Sequence, residues 1–378
     1  MSRHEFSFSV SHQHRIVFTH DAFNPERRDL AEFLEAGKGR SVLVCIEQAV
    51  ADANPGMAEQ IRRYLTDIPI HCAAIHLMPG GEPAKNGDER VKEIWEKIAD
   101  HHIDRHSYLI AIGGGAFLDV AGYAAATAHR GIRLIRFPTT TLAQGDSGVG
   151  VKCAINVNGR KNWAGAFAVP YAVINDFNFL QTQPEDSRRA GLVEAIKVAL
   201  VKDRDFFKWI ESHSAQLMAL DRNTLEACVE RSALLHAQHI TGGGDPFESG
   251  SSRPLDFGHW AAHKLESMTQ YELSHDRAVA IGIALDVQFA ARSGLLDPKS
   301  AERVQQVLAA LALAHFHPAL DLRDDSGRRL ILDGLDEFRE HLGGELTVLM
   351  PRAIGQCEDV HSLDEGIINQ CIEDLRPR

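Results

Sequence analysis

Residues 251–266, SSRPLDFGHWAAHKLE, place His259 and His263 four apart. In a helix such a pair shares one face, so both imidazoles can point at one site. Two helical histidines at this spacing suit a divalent metal and equally suit an ordinary helix surface, so the pair alone decides nothing. A second polar pair lies upstream in AGLVEAIKVAL, where Glu194 and Lys197 stand three apart in an apolar stretch. A carboxylate and an ammonium on the inner face of a helix are costly unless paired or used. A salt bridge would satisfy them. So would a metal: Glu194 with two of His259, His263 and His275 makes a three-donor set with an open position, the arrangement of a catalytic zinc. The wide separation of these residues in the chain leaves both readings open.

Three further segments carry the chemistry of phosphate binding. LIAIGGGAFLDVAGYAAA (109–126) sets three glycines between a buried-strand pattern and a helix pattern. Glycines let the backbone approach a diphosphate, and a helix N-terminus offers free N–H groups to it. The strict GxGxxG fingerprint is not met, since Leu118 stands where the last glycine belongs. Glu47 closes an earlier strand pattern, where an acidic side chain can hold ribose hydroxyls. PGGEPAK (79–85) adds a glycine turn with Glu82 and Lys85. A dinucleotide fits these features, as does a tight strand–helix turn without a ligand. FPTTTLAQGDSGVGVKCAINVNGRKNWAGAF (137–167) is unusually polar for a stretch that follows a buried strand. It holds Thr139, Thr140, Asp146, Lys152, Lys161 and Asn162, and reads as a long glycine-punctuated loop. Lys152 and Lys161 suit a phosphoryl group, with Asn162 as a neutral donor.

The elements that must position these groups alternate in the first half. SVLVCIE (41–47), HCAAIHL (71–77), SYLIAI (107–112) and GIRLIRF (131–137) read as strands, and AEQIRRYL (58–65) and ERVKEIWEKIADHH (89–102) as helices. The N-terminal MSRHEFSFSVSHQHRIVFTHDAF also alternates like a strand. Beyond about residue 182 long helical patterns dominate. The expected fold class is an α/β N-terminal doubly wound parallel-sheet domain, residues 1–182, followed by a mostly α-helical C-terminal domain, residues 183–378. Active sites often lie in the cleft between two such domains.

At 378 residues, 44% hydrophobic and 24% charged, the composition is that of a globular protein. A net charge of −12 argues against a nucleic-acid or anionic-membrane binder, though not against a phosphorylated substrate held by a few local lysines. Six cysteines without any CxxC pair, no signal-like apolar core and no bilayer-length run lead us to expect a cytoplasmic protein.

Taken together, GGGAFLDVAGYAAATAHRG, PTTTLAQGDSGVGVK, GRKNWAGAF, GLVEAIK and DFGHWAAHKLE followed by SHDRAVAIG resemble the sugar phosphate cyclases, the family of 3-dehydroquinate synthase. The resemblance runs from about residue 41 to 285. It implies an NAD-bound enzyme with one divalent metal, zinc or cobalt in its place. It makes Glu194, His259 and His275 the metal ligands, with His263 lining the substrate site. Asp146, Lys152, Lys161, Asn162, Lys197, Arg253 and Asp256 then fall in the region that holds a sugar phosphate. Arg130 corresponds to an arginine that such enzymes reach across a homodimer interface to bind phosphate. Glu47, Glu82, Lys85, Gly114, Gly115, Asp119, Thr139, Thr140, Leu142 and Thr182 match dinucleotide-contacting positions, where Glu47 is longer than the usual aspartate. The implied reaction is oxidation of a secondary alcohol by NAD, phosphate elimination, re-reduction, ring opening and an intramolecular aldol closure.

The chain departs from the 3-dehydroquinate synthase pattern where that enzyme reads a substrate carboxylate. Gln238 or His239 stands near the place of a lysine, Asp256 replaces an asparagine and Trp260 a threonine. The spacing from Arg253 to Asp256 is one residue shorter than usual. Asp276 and Arg277 replace a glycine and a glutamate, and Phe338, Arg339 and Glu340 stand where Asp-Lys-Lys is expected. A pocket that loses cations and gains an anion should favour a neutral polyol end. The expected substrate is a heptulose phosphate such as sedoheptulose 7-phosphate, giving a valiolone-type C7 cyclitol. Genuine 3-dehydroquinate synthase and a metal-dependent polyol dehydrogenase are the alternatives.

Overall fold

The computed structural model describes residues 2–242, 247, 254–341 and 344–377. They form two compact units, Met1–Pro138 with Val151–Asp176, and Thr139–Gly150 with Phe177–Arg378.

In the first unit the order is β1 (Ile16–Thr19), β2 (Ser41–Glu47), α1 (Gln48–Ala53), α2 (Met57–Asp67), β3 (His71–Met78), α3 (Glu89–Asp100), β4 (Tyr108–Gly113), α4 (Gly115–Thr127), β5 (Arg133–Pro138), β6 (Lys152–Val157), β7 (Arg160–Phe167) and β8 (Ala172–Asp176). Six strands make one parallel sheet, ordered β1-β8-β5-β4-β2-β3. Every residue of β4 is buried, because a central parallel strand is covered on both faces and must be apolar throughout. The flanking helices read the other way: α3 buries only Val91, Ile94 and Ile98, one stripe at helical spacing. This is the doubly wound sheet that the strand–helix alternation predicts.

Two expectations need correction. The N-terminal strand spans only Ile16–Thr19, and residues 2–15 form no element. Alternation needs a partner, and β8 starts at Ala172, two residues after Pro170, which has no N–H for a ladder. Phe6 and Phe8 are accordingly 90% exposed. Of the segment 137–167 that reads as a long loop, residues 152–167 form an antiparallel hairpin, β6 with β7. Its two-residue turn is Asn158-Gly159, with φ of 52° and 74°, the mirror-image turn that matches strand twist.

The second unit contains α5 (Asn178–Thr182), α6 (Glu185–Ala190), α7 (Val193–Lys202), α8 (Arg204–Ser212), α9 (Ser214–Met218), α10 (Arg222–Gly242), α11 (His259–Met268), α12 (His275–Arg292), α13 (Pro298–Ala310), α14 (Asp333–His341), the hairpin β9 (Val348–Ala353) and β10 (Gln356–Val360), and α15 (Glu365–Leu375). Every residue of α7 except Lys202 is buried, and α12 is buried from Ala278 to Val287, so these two are its core helices. Among the described residues no helix is long and apolar enough to cross a membrane.

Truncating the fully buried Ile110 in the sheet centre should cost about 2–5 kcal/mol, through lost burial and the cavity left behind. Urea denaturation of Ile110→Ala, with an unchanged m-value, checks this.

Candidate active site

The strongest cluster lies in the second unit. Glu194 is the second residue of α7, and His259 and His275 open α11 and α12. Their donor atoms lie within 4.8 Å of one another. The close meeting of α11 and α12 needs small residues: a Cβ on Gly282 would run into the carbonyl of Gly258, and Gly258 itself adopts φ 79°. Each histidine has one ring nitrogen occupied. Nδ1–H of His259 donates to the Phe257 carbonyl at 3.0 Å, and Nδ1–H of His275 donates to Glu266 at 3.3 Å. Those bonds fix the tautomers and leave both Nε2 atoms as free donors.

A fully buried carboxylate stands at the centre of this cluster. Glu194 is 1% exposed, and neither of its carboxylate oxygens has a hydrogen bond. The Lys197 ammonium lies against it as an ion pair, and also sits 3.8 Å from Asp146. Burial pushes the Glu194 carboxyl up, and the Lys197 charge only partly offsets this. Burial disfavours the Lys197 charge, yet Asp146 and Glu194 together outweigh it and hold the ammonium protonated. Asp146 is also held below the usual carboxylate range: burial acts against this, and the charges of Lys197 and His236 overcome it. Two carboxylates therefore share the Lys197 ammonium, and Asp146 has His236 as a second partner. His259 is pushed well below its ordinary pKa, first by burial and then by Lys197 and its neighbouring histidines, so it is neutral and fit to ligate. Two imidazoles and one buried carboxylate suit a zinc-type ion.

Among the described residues a second donor group, His263, Glu266 and His275, shares His275 with the first. The rings of His259 and His263 are 5.3 Å apart, so the pair that opens the sequence question does converge. Three residues beyond the sequence reading complete the surroundings. Glu266 supports His275, and its spacing of three from His263 and seven from His259 was the available signal. His236 on α10 meets Asp146 at 2.5 Å. Asp286 on α12 accepts from Gly258 N–H at 3.0 Å and from the Trp260 indole at 2.7 Å, pinning the start of α11. Neither His236 nor Asp286 had a local sequence signal.

Asp146 lies on a π-helical turn, Ala143–Ser147, that follows Thr139, Thr140 and Leu142. The Thr139 hydroxyl is buried without a hydrogen bond, and that of Thr140 accepts from Ala143 N–H at 3.1 Å. Thr141 bonds Gln183, which follows Thr182, so the turn and Thr182 are neighbours. Asp256 is half-buried in a short 3₁₀ turn, Pro254–Asp256. Arg253 lies outside the described residues.

The remaining candidates belong to the first unit. Gly114 caps α4 and Gly115 starts it. Both oxygens of Glu47 are engaged, accepting Gly81 N–H at 3.0 Å and Gly114 N–H at 2.7 Å. Lys85, nearly buried beside Glu82 in one 3₁₀ turn, donates to Asp119 and to Asn162, each at 2.6 Å. Two residues read as dinucleotide contacts are thereby tied to one read as a substrate contact. Lys152 opens β6 and is exposed, Lys161 is half-buried on β7, and Arg130 is exposed with φ 64°.

Profiles of known families match most of the chain: 3-dehydroquinate synthase N-terminal over residues 75–190 and C-terminal over residues 191–326. A 3-dehydroquinate synthase of Desulforamulus reducens is 34% identical over 331 residues, 87% of this chain and 89% of that one. Among solved structures, 2-epi-5-epi-valiolone synthase of Streptomyces hygroscopicus subsp. jinggangensis 5008, with NAD+ and Zn2+ bound, superposes with a TM-score of 0.87 and 26% identity, over 98% of this chain and 99% of that one. A 2-deoxy-scyllo-inosose synthase complexed with carbaglucose-6-phosphate, NAD+ and Co2+ shares the fold, with TM-score 0.80, 21% identity, and 95% and 96% of the two chains covered.

Two measurements test the geometry. Glu266→Ala should weaken binding of zinc by about 10–100-fold, because His275 loses the partner that orients it; competition with a chromophoric chelator reads the affinity. Asp286 is pushed up to about 7, first by burial, against the bonds from Trp260 and Gly258. A carboxyl raised on folding stabilises fully below its unfolded pKa, and that contribution is lost as pH rises through about 7. In metal-free protein, denaturation midpoints should therefore fall from pH 4 towards 7, and Asp286→Asn should flatten that slope.

Proposed function

This chain belongs to the 3-dehydroquinate synthase family, and from that premise we propose that it closes a neutral heptulose phosphate, sedoheptulose 7-phosphate, to a valiolone-type C7 cyclitol with loss of phosphate. The chain is a 3-dehydroquinate synthase-like sugar phosphate cyclase, a carbon–oxygen lyase.

In this reading Glu194, His259 and His275 hold a zinc or cobalt ion, and the first unit's glycine turns with Glu47, Glu82, Lys85 and Asp119 hold NAD. When bound, NAD supplies reversible oxidation of an alcohol, and the ion polarises the oxygens it holds. The chain's own groups do the rest. Lys152, Lys161, Asn162 and Arg130 bind the phosphoryl group and its developing charge, Arg130 from the partner of a homodimer. Lys197, kept protonated by Asp146 and Glu194, stabilises an enolate-like oxygen. His263, on the same helix face as His259, holds a substrate hydroxyl.

Asp256 carries the choice of substrate. It is an anion in a place where 3-dehydroquinate synthases are expected to carry an asparagine, and its charge is felt at Lys197. A carboxylate brought there would meet repulsion, and a hydroxyl would not. Arg339, the nearest replacement for a missing lysine, ion-pairs with Asp336 on its own helix at 3.0 Å. The likeness to a valiolone synthase supports the same reading. The identity with 3-dehydroquinate synthases favours the alternative, in which the carboxylated sugar is the substrate.

Incubation with NAD and zinc should release phosphate from sedoheptulose 7-phosphate, with no net accumulation of NADH. Release only from the carboxylated heptulosonate phosphate would overturn the proposal, and net NADH would point to a dehydrogenase. Asp256→Asn should raise kcat/KM for the carboxylated sugar relative to the neutral one by about tenfold, the worth of one unfavourable charge contact.

A further inference from the structure

The Glu47 carboxylate is placed where one side chain joins two separate glycine turns. Oε1 accepts the Gly81 N–H at 3.0 Å, from the turn after β3, and Oε2 accepts the Gly114 N–H at 2.7 Å, at the start of α4. Both turns are shaped around it. A Cβ on Gly80 would fall on the Glu47 carboxylate, and a Cβ on Gly113 would meet the Phe117 ring at 2.5 Å and Oε2 at 2.8 Å. The β2 backbone is fixed by pairing with β3 on one side and β4 on the other, so the side chain's length sets how far the carboxylate reaches.

We propose that Glu47 is a positioning residue: a strut that holds the turn at Gly81 and the turn at Gly114 at a fixed separation, and so pre-forms the seat for NAD. The inference rests on the cofactor reading above and adds to it a requirement of length. Each carboxylate oxygen keeps a second lone pair, so the strut can bind both amides and still accept a ribose hydroxyl. Aspartate, one methylene shorter, falls about 1.5 Å short and can serve one turn at most. Glutamine keeps the length but turns an NH2 group towards one of two N–H donors, so it also keeps one bond of two.

The test compares wild type, Glu47→Asp and Glu47→Gln, using NAD itself as the probe. Calorimetry should give NAD affinities about tenfold weaker for both variants. Hydrogen exchange without NAD should show faster exchange in segments containing Gly81 and Gly114, and unchanged exchange in β4. Equal melting temperatures establish that the variants are folded; if Glu47→Asp does not fold, the isosteric Glu47→Gln carries the comparison. Wild-type binding with both variants binding equally well would overturn the strut alone. A wild-type chain with no affinity for NAD would overturn the cofactor reading and this proposal with it. Loss of affinity with unchanged exchange at both turns would also overturn the strut, because the glutamate would then act only by touching the cofactor.

Discussion

A buried carboxylate without a hydrogen bond is the constraint that organises the helical unit. Glu194 sits at 1% exposure with both oxygens unsatisfied and a second carboxylate, Asp146, drawing on the same lysine. Such a group persists only if something compensates it. Glu194 shares its only ammonium, that of Lys197, with Asp146, which has His236 besides, and the two imidazoles beside Glu194 are ligands when neutral. The arrangement suits a cation, which is why the proposed function places the metal there.

Three helices supply the donors, each from its first turn. Helix N-termini favour a carboxylate and disfavour an imidazolium, which assists both the charge of Glu194 and the neutrality of His259. The convergence depends on backbone approach at Gly258 and Gly282, and on Asp286, which ties the entry of α11 to α12 through one amide and one indole. In the first unit the same economy appears around Glu47, whose two oxygens take the amides of two loops. In both units a buried or half-buried acid organises the backbone next to the expected ligand.

Much of this was legible in the sequence. The central strands announced themselves as apolar runs because covering on both faces leaves no polar side. Glu194 and Lys197 stood out because a charged pair in an apolar helix demands a use. The rest depended on distance along the chain. His236 meets Asp146 across ninety positions, and Asp286 reaches Trp260 from another helix, so no local pattern could reveal them. Asn158-Gly159 is a legible turn signal, but the polar residues on either side of it carry the pattern of a loop rather than of two strands. At the N-terminus the alternation was real but had no strand to pair with. The full role set of the site came from resemblance, since ligands this far apart have no diagnostic spacing.

X-ray absorption and visible spectra of the cobalt-loaded chain, with metal content measured, test the account at its centre. The account predicts one ion per chain, bound by two imidazole nitrogens and one carboxylate oxygen, and lost when Glu194 and His259 are both replaced. An ion bound with the same spectrum and stoichiometry in that double variant would contradict it.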